Sequence, residues 1–335
     1  MSRKIKAAVI GLGRIGKIHA NNIANYLTNA ELVAVADPLL DKAYAKTLGV
    51  RKVYTDPQLI FKDPAIEAVI ICTPTDTHAD FIKKAALAKK AVFCEKPVSH
   101  DLKTIDQVIA VVKKAHVPVQ IGFNRRFDPN FKAAKEKILA GKIGKTRMIK
   151  VISNDPAPPP ASYIKHSGGL FFDMTIHDFD MVRFLAGENV VKVYAEGANL
   201  VDAKIKALGD IDTAIITLTL KSGAIASITN CRQSAYGYDQ RIEVFGDKGS
   251  IKAENVYPNT TVLSTKFGIQ TEKPLYFFLE RYEKAYRDEL NQFFNALIQK
   301  KSPSVGLIDI KNALLIAKAA KQSLKTKKPV TIKKF

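Results

Sequence analysis

Cysteine is scarce in this chain. Its 335 residues contain only three, Cys72, Cys94 and Cys231, and they stand far apart. None forms a CxxC, and two close apolar runs of the buried-strand kind, which argues against disulfides and a structural zinc. Apolar runs of membrane-spanning length are missing. At the N-terminus, Met1-Ser2-Arg3-Lys4 leads directly into an apolar strand, with no room for the hydrophobic stretch of a signal peptide. These absences predict a cytoplasmic protein with no membrane association. Internal repeats and low-complexity tracts are also lacking.

Acidic residues are outnumbered, 32 Asp and Glu against 52 Lys and Arg, for a net charge of +20. Such a surplus can serve nucleic acid, a membrane or an anionic small molecule. The lysines, however, come as dispersed pairs (Lys83-Lys84, Lys89-Lys90, Lys113-Lys114) on the polar faces of predicted helices. The densest cluster is Lys325-Thr326-Lys327-Lys328, followed by Lys333-Lys334. Aromatic residues do not interleave with the basic ones, so nucleic-acid binding is not expected. A positive field would still attract a dianionic cofactor.

A glycine pattern is present near the start: Gly11-Leu12-Gly13-Arg14-Ile15-Gly16 lies between an apolar strand (5–10) and a helix from about 14 to 26. A second strand, 31–36, ends at Asp37, as a dinucleotide fingerprint requires. Gly11 allows the tight turn, Gly13 lets the backbone approach a pyrophosphate, and Gly16 allows close packing of helix on strand. Arg14 and Ile15 open a helix whose free N–H groups suit phosphates. Asp37 can accept from both ribose hydroxyls and would repel a 2′-phosphate, which favours NAD over NADP, a preference that the nearby Arg14 softens.

Buried-strand runs recur at 68–72, 91–94 and 117–121, alternating with helical patterns at 77–88 and 101–115. That alternation predicts a parallel, doubly wound sheet in a domain of residues 1–122. The texture then changes. After a helix near 128–140 come a strand at 145–153 and a rigid loop, Asp155-Pro156-Ala157-Pro158-Pro159-Pro160. From 190 to 265 strands follow one another through tight turns, as at Lys221-Ser222-Gly223 and Gly246-Asp247-Lys248-Gly249. Helices near 279–300 and 307–325 close the chain. Residues 123–335 are therefore predicted to be an α+β domain with a large, mainly antiparallel open sheet. One face of that sheet should carry a catalytic helix, and the other should pair with another subunit.

That helix holds a polar stripe, Asp173, His177 and Asp180, at i, i+4 and i+7 among Phe, Met, Leu, Ile and Val. A continuous helix places the three on one face, and two carboxylates with an imidazole make a proton-handling set. Asp173 and His177 could alternatively ligate zinc, but a third strong ligand is missing, so no metal is expected. Lys96, in Cys94-Glu95-Lys96-Pro97, ends a strand where cofactor and substrate meet in such sheets. It can reach a substrate hydroxyl beside a nicotinamide. His19 and His116 are expected to be structural or solvated, and His166 could be a substrate contact.

On these marks the chain resembles the Gfo/Idh/MocA family of NAD(P)-dependent oxidoreductases over nearly its full length. Added to the glycine pattern and Glu95-Lys96-Pro97 are Cys72-Thr73-Pro74-Thr75-Asp76-Thr77-His78, Gly122-Phe123-Asn124-Arg125-Arg126-Phe127-Asp128, Gly168-Gly169 with Asp173 and His177, and Tyr236-Gly237-Tyr238-Asp239. The arginine pair, the Asp-Pro loop and Tyr-Gly-Tyr-Asp point to the inositol-oxidising branch. The resemblance implies NAD-dependent oxidation of a ring hydroxyl of myo-inositol, with Lys96, Asp173 and His177 as the catalytic set and His177 as base. It implies that Thr73, Pro74, His78, Glu95 and Lys96 line the cofactor and that Arg126, Asp155, Asp180 and Tyr236 hold substrate hydroxyls. It also implies a homotetramer. Ser153-Asn154-Asp155 departs from some inositol dehydrogenases, which leaves another inositol isomer or a sugar such as glucose open. Non-catalytic NAD(P) sensors also occur in the superfamily; they would be expected to lose the lysine or histidine, and both are intact here.

Overall fold

The computed structural model describes residues 3–39 and 41–332; Met1, Ser2, Leu40, Lys333, Lys334 and Phe335 lie outside the described residues. The chain forms two compact units, Met1–Phe127 with Lys284–Lys311, and Asp128–Glu283 with Asn312–Phe335.

In the first unit, strands and helices alternate: β1 (Ile5–Ile10), α1 (Arg14–Asn25), β2 (Ala30–Ala36), α2 (Lys42–Thr47), β3 (Lys52–Tyr54), α3 (Gln58–Lys62), β4 (Ala68–Ile71), α4 (Thr75–Leu87), β5 (Ala91–Glu95), α5 (Leu102–Ala115) and β6 (Val119–Gly122). The strands form one parallel sheet in the order β3-β2-β1-β4-β5-β6, the dinucleotide-binding order. Every residue of β4 is buried, as a strand covered on both faces must be. Asp101 starts α5 by accepting the Thr104 amide at 2.9 Å.

The helix Glu283–Ile298 completes this core. Leu290, Phe293 and Phe294, spaced for one helical face, pack with Val9, Ile70 and Phe93. Gln120 Nε2 also donates to the Glu289 carbonyl at 2.9 Å. The first unit thus takes residues 284–311 from beyond 123, whereas chain order alone leaves them with the second domain.

The second unit contains α6 (Pro129–Leu139), β7 (Thr146–Asn154), α7 (Ala161–Ser167), α8 (Leu170–Asp173), α9 (Thr175–Ala186), β8 (Val190–Ala198), α10 (Ala203–Ala207), β9 (Thr213–Leu220), β10 (Ile225–Cys231), β11 (Asp239–Gly246), β12 (Gly249–Ala253), a hairpin of β13 (Val262–Thr265) and β14 (Gly268–Thr271), and α11 (Phe278–Arg281). The helix already described, α12 (Glu283–Ile298), then α13 (Leu307–Thr326) and β15 (Val330–Thr331), end the chain. Asp128 caps α6, accepting from the amides of Asn130 and Phe131, with Pro129 at the first helical position.

The large sheet runs β12-β11-β7-β10-β9-β8-β15. All its pairs are antiparallel except β7 with β10, which makes it mixed rather than purely antiparallel. One face is buried: Ile149, Val151, Ile216, Leu218, Ala226 and Ile228 alternate inward. On the other face Met148, Ile225 and Phe245 stand in register across three strands and are each close to half exposed.

Candidate active site

In the first unit the glycine turn has the shape that a pyrophosphate requires. Gly11 has φ +89°, and a Cβ there would come within 2.7 Å of the Cys72 carbonyl oxygen. A Cβ on Gly16 would fall 1.8 Å from the Gly11 carbonyl, so α1 can sit against the turn only without a side chain. Gly13 faces open space. It caps α1 with no side-chain hydrogen bond, which leaves the first N–H groups of a twelve-residue helix to an anion. Asp37 fastens the turn, accepting from the Leu12 amide at 2.6 Å and the Leu39 amide at 2.8 Å. These residues fit a dinucleotide.

Around the same strand ends, Thr73 and Thr77 share a hydrogen bond of 2.6 Å. His78 is buried with one ring nitrogen 2.7 Å from the Thr73 carbonyl and the other 2.8 Å from that of Pro97. It therefore joins the loop after β4 to the loop after β5. Burial lowers its pKa, although both carbonyls favour the protonated ring. Glu95 closes β5 beside Gly122, where a Cβ would meet its carboxylate at 2.9 Å. Lys96 follows, half-buried. Arg126 lies just past β6 and donates to Asp309 at 2.9 Å, a partner the sequence did not suggest.

In the second unit a buried arginine organises the acids. The parallel pairing of β7 and β10 sets Asn154 beside Cys231, so the next residues, Asp155 and Arg232, meet at the same sheet end. Arg232, 4% exposed, donates to Asp155 at 3.1 Å and to Asp173 at 3.0 Å. Burial opposes its charge, but the two carboxylates outweigh that and raise its pKa. Tyr163 donates to the other oxygen of Asp173 at 2.7 Å. Enclosure of its hydroxyl, and the Asp173 charge, push the phenol well above its ordinary value.

The polar stripe is not carried by one continuous helix. Asp173 ends α8, and His177 and Asp180 lie on α9, because the ladder breaks at Met174 (φ −92°, ψ −60°). Thr175 stands at the break: its hydroxyl donates to Asn230 Oδ1 at 2.6 Å and lies 3.3 Å from the Leu170 carbonyl, contacts that compete with the helical ladder. Asn230 in turn donates to Asp178 at 2.8 Å, which seats α9 on β10. His177 is half-buried. Asp180 is buried, 3.9 Å from Arg183. Tyr236 is 46% exposed, its hydroxyl donating to Asp239 at 2.6 Å.

Arg232 thus brings Asp155 and Asp173 together, whereas Arg126 and Tyr236 have acidic partners of their own. Arg232 and Tyr163 are absent from the sequence reading. Arg232 acquires its place from a strand pairing between segments 77 residues apart, and no local pattern encodes that. His19, expected to be structural or solvated, is fully buried against Glu95, its Nε2 at 2.7 Å.

Residues 5–123 match the family model described as the oxidoreductase family, NAD-binding Rossmann fold. Residues 131–252 match the GFO/IDH/MocA C-terminal domain. The myo-inositol 2-dehydrogenase of Thermotoga maritima is 48% identical over 98% of this chain and 98% of its own length. The inositol 2-dehydrogenase of Rhizobium meliloti is 44% identical over 98% of this chain and 99% of its own length. Among solved structures, scyllo-inositol dehydrogenase from Lactobacillus casei with bound NAD(H) and scyllo-inositol superposes with a TM-score of 0.92 at 32% identity, covering 98% of this chain and 99% of the other. The chain, from its glycine turn to the last strands of its mixed sheet, belongs to the GFO/IDH/MocA family of oxidoreductases.

Proposed function

We propose that this protein is an NAD-dependent polyol dehydrogenase that oxidises a ring hydroxyl of myo-inositol to the ketone. The observation that carries the reading is the buried Asp155–Arg232–Asp173 bridge in a chain that also has a complete dinucleotide turn. Two carboxylates held by one guanidinium present acceptors and donors in fixed directions, which suits a ring carrying several hydroxyls. Full-length relatives named for inositol oxidation support the substrate class.

Bound NAD would supply the hydride acceptor, nicotinamide C4. The chain's own residues handle the rest. His177 takes the proton of the reacting hydroxyl, Asp173 steadies the charged imidazole, and Lys96 hydrogen-bonds the oxygen as it gains negative charge. Arg126, Asp155, Asp180 and Tyr236 hold the remaining hydroxyls. Gly11, Gly13, Arg14, Ile15 and Gly16 receive the pyrophosphate, and Asp37 receives the adenosine ribose and disfavours a 2′-phosphate. Thr73, Pro74, His78 and Glu95 line the nicotinamide side.

Reduction of NAD followed at 340 nm, with myo-, scyllo- and D-chiro-inositol and with glucose, tests the reading. Fast turnover of myo-inositol with NAD and little with NADP is expected. Preference for scyllo-inositol would move the substrate to the isomer named for the Lactobacillus casei relative. Failure of every polyol would remove the assignment.

The protein works as a homotetramer in the cytoplasm. The exposed row of Met148, Ile225 and Phe245 on the open sheet supports association between copies of the chain.

A further inference from the structure

A second cluster of titratable groups in the first unit joins Glu95 to two residues that the proposed reaction does not use. His19 on α1, Glu95 at the end of β5 and Glu289 on α12 bring a nitrogen and two carboxylate oxygens within 4.8 Å of one another. His19 and Glu289 are both 0% exposed. His19 Nε2 is 2.7 Å from Glu95 Oε1 and 3.9 Å from Glu289 Oε1. The imidazole is clamped edge-on by Phe93 and Tyr286, with centroids 5.1 and 5.7 Å away. Among the described residues neither carboxylate oxygen of Glu289 nor Nδ1 of His19 has a hydrogen-bond partner.

Two ionised carboxylates cannot share this enclosure cheaply. Glu289 is the one that yields: its burial and the neighbouring Glu95 raise its pKa well above the carboxylate range, so it holds its proton. Among the described residues the other titratable groups packed near Glu95 include the thiols of Cys72 and Cys94, the phenol of Tyr286 and the imidazole of His78, whose pKa burial lowers. Burial keeps both thiols protonated, so they supply no countercharge. Glu95 is the other carboxylate of the cluster, its Oε1 against His19 Nε2, and it stands one residue before Lys96.

We propose that His19 is a positioning residue that holds Glu95, with the neutral Glu289 behind it, as the single negative charge of a buried cluster, and that this charge weights the site toward the oxidised, cationic nicotinamide over the neutral reduced one. The inference rests on the reading of Glu95 as lining the nicotinamide. A fixed carboxylate there stabilises the ring only while the ring is positive, and it helps release the reduced cofactor.

The test is the ratio of dissociation constants for NADH and NAD+, measured by titration calorimetry on the full-length protein and its variants. The ratio does not depend on the fraction of molecules that fold, so a merely structural defect leaves it in place. Glu95→Gln is expected to lower it roughly tenfold, by weakening NAD+ alone. His19→Leu should lower it in the same direction, and His19→Gln, which retains a donor near the Nε2 position, should restore it. Glu289→Gln, a mimic of the protonated acid, should leave the ratio within about twofold of wild type. A fall with Glu289→Gln as large as with Glu95→Gln would overturn the proposal. So would equal weakening of both cofactor forms by Glu95→Gln, or one equivalent of divalent metal found in the purified protein by mass spectrometry. Wild-type protein that binds neither form would remove the cofactor placement and this inference with it. Tight NAD+ binding with inert polyols would remove only the substrate assignment.

Discussion

Arg232 donates through Nη2 to Asp173 at 3.0 Å from a position almost wholly enclosed, and so joins the last strand of a hairpin to the end of a short helix. Its second nitrogen serves Asp155. Arg232→Met leaves two acids facing each other with no cation between them. Loss of one partner from a buried ion pair costs about 3–5 kcal/mol. A clear fall in Tm by scanning fluorimetry is expected, together with loss of polyol turnover. Arg232→Lys keeps the charge but presents it from one nitrogen instead of a planar fork, and should recover stability better than kcat/KM.

The roles given to His177 and Lys96 separate kinetically. Either His177→Gln or Lys96→Met should reduce kcat about 100-fold or more, with NAD+ affinity of the His177 variant unchanged by calorimetry. Wild-type rates in either variant would discard that role.

Acid stability should depend on Asp212. This fully buried carboxylate accepts from the amides of Leu200 (2.8 Å), Val201 (3.0 Å) and Asp202 (3.1 Å) and from the Thr213 hydroxyl (2.9 Å). Burial works to raise its pKa, but those donors outweigh burial and hold it below the ordinary 3.8. A group whose folded pKa is depressed contributes stability above its unfolded pKa, and that contribution is lost as pH falls through the folded value. Urea midpoints measured from pH 7 downward should therefore drop less steeply for Asp212→Asn than for wild type. At neutral pH the variant should be about 2–4 kcal/mol less stable.

If the open sheet face joins copies of the chain, charge placed there should separate them. Met148 and Ile225 are cross-strand neighbours at 44% and 51% exposure. Met148→Lys with Ile225→Lys should shift the mass found by light scattering to that of smaller species, while NAD+ binding persists. An unchanged mass would place any interface elsewhere.

The first unit was legible because each of its strands is a buried run bounded by turn residues, and the runs alternate with amphipathic helices. The glycine turn and Asp37 could be read for the same local reason. The second unit's hairpins were legible through their tight turns. What could not be read depends on distant segments. The parallel β7–β10 pair creates the Arg232 bridge, and the stripe of Asp173, His177 and Asp180 is interrupted where Thr175 bonds Asn230 across from it. Glu289 belongs to a helix that looks, in chain order, like part of the second domain. His19 reads only as structural or solvated because nothing near it in sequence announces Glu95 and Glu289 as neighbours.

The return of α12 to the first unit has a consequence for how the protein is made. Phe293 and Phe294 are core residues of a sheet whose strands are complete by Gly122. A nascent chain that has delivered all six strands still has an open apolar flank, and waits for nearly another half-chain of synthesis before it can be closed. Fragments ending anywhere between Gly122 and α12 should therefore be sticky and protease-sensitive, whatever nucleotide is offered to them. The dinucleotide half is born early and matures last.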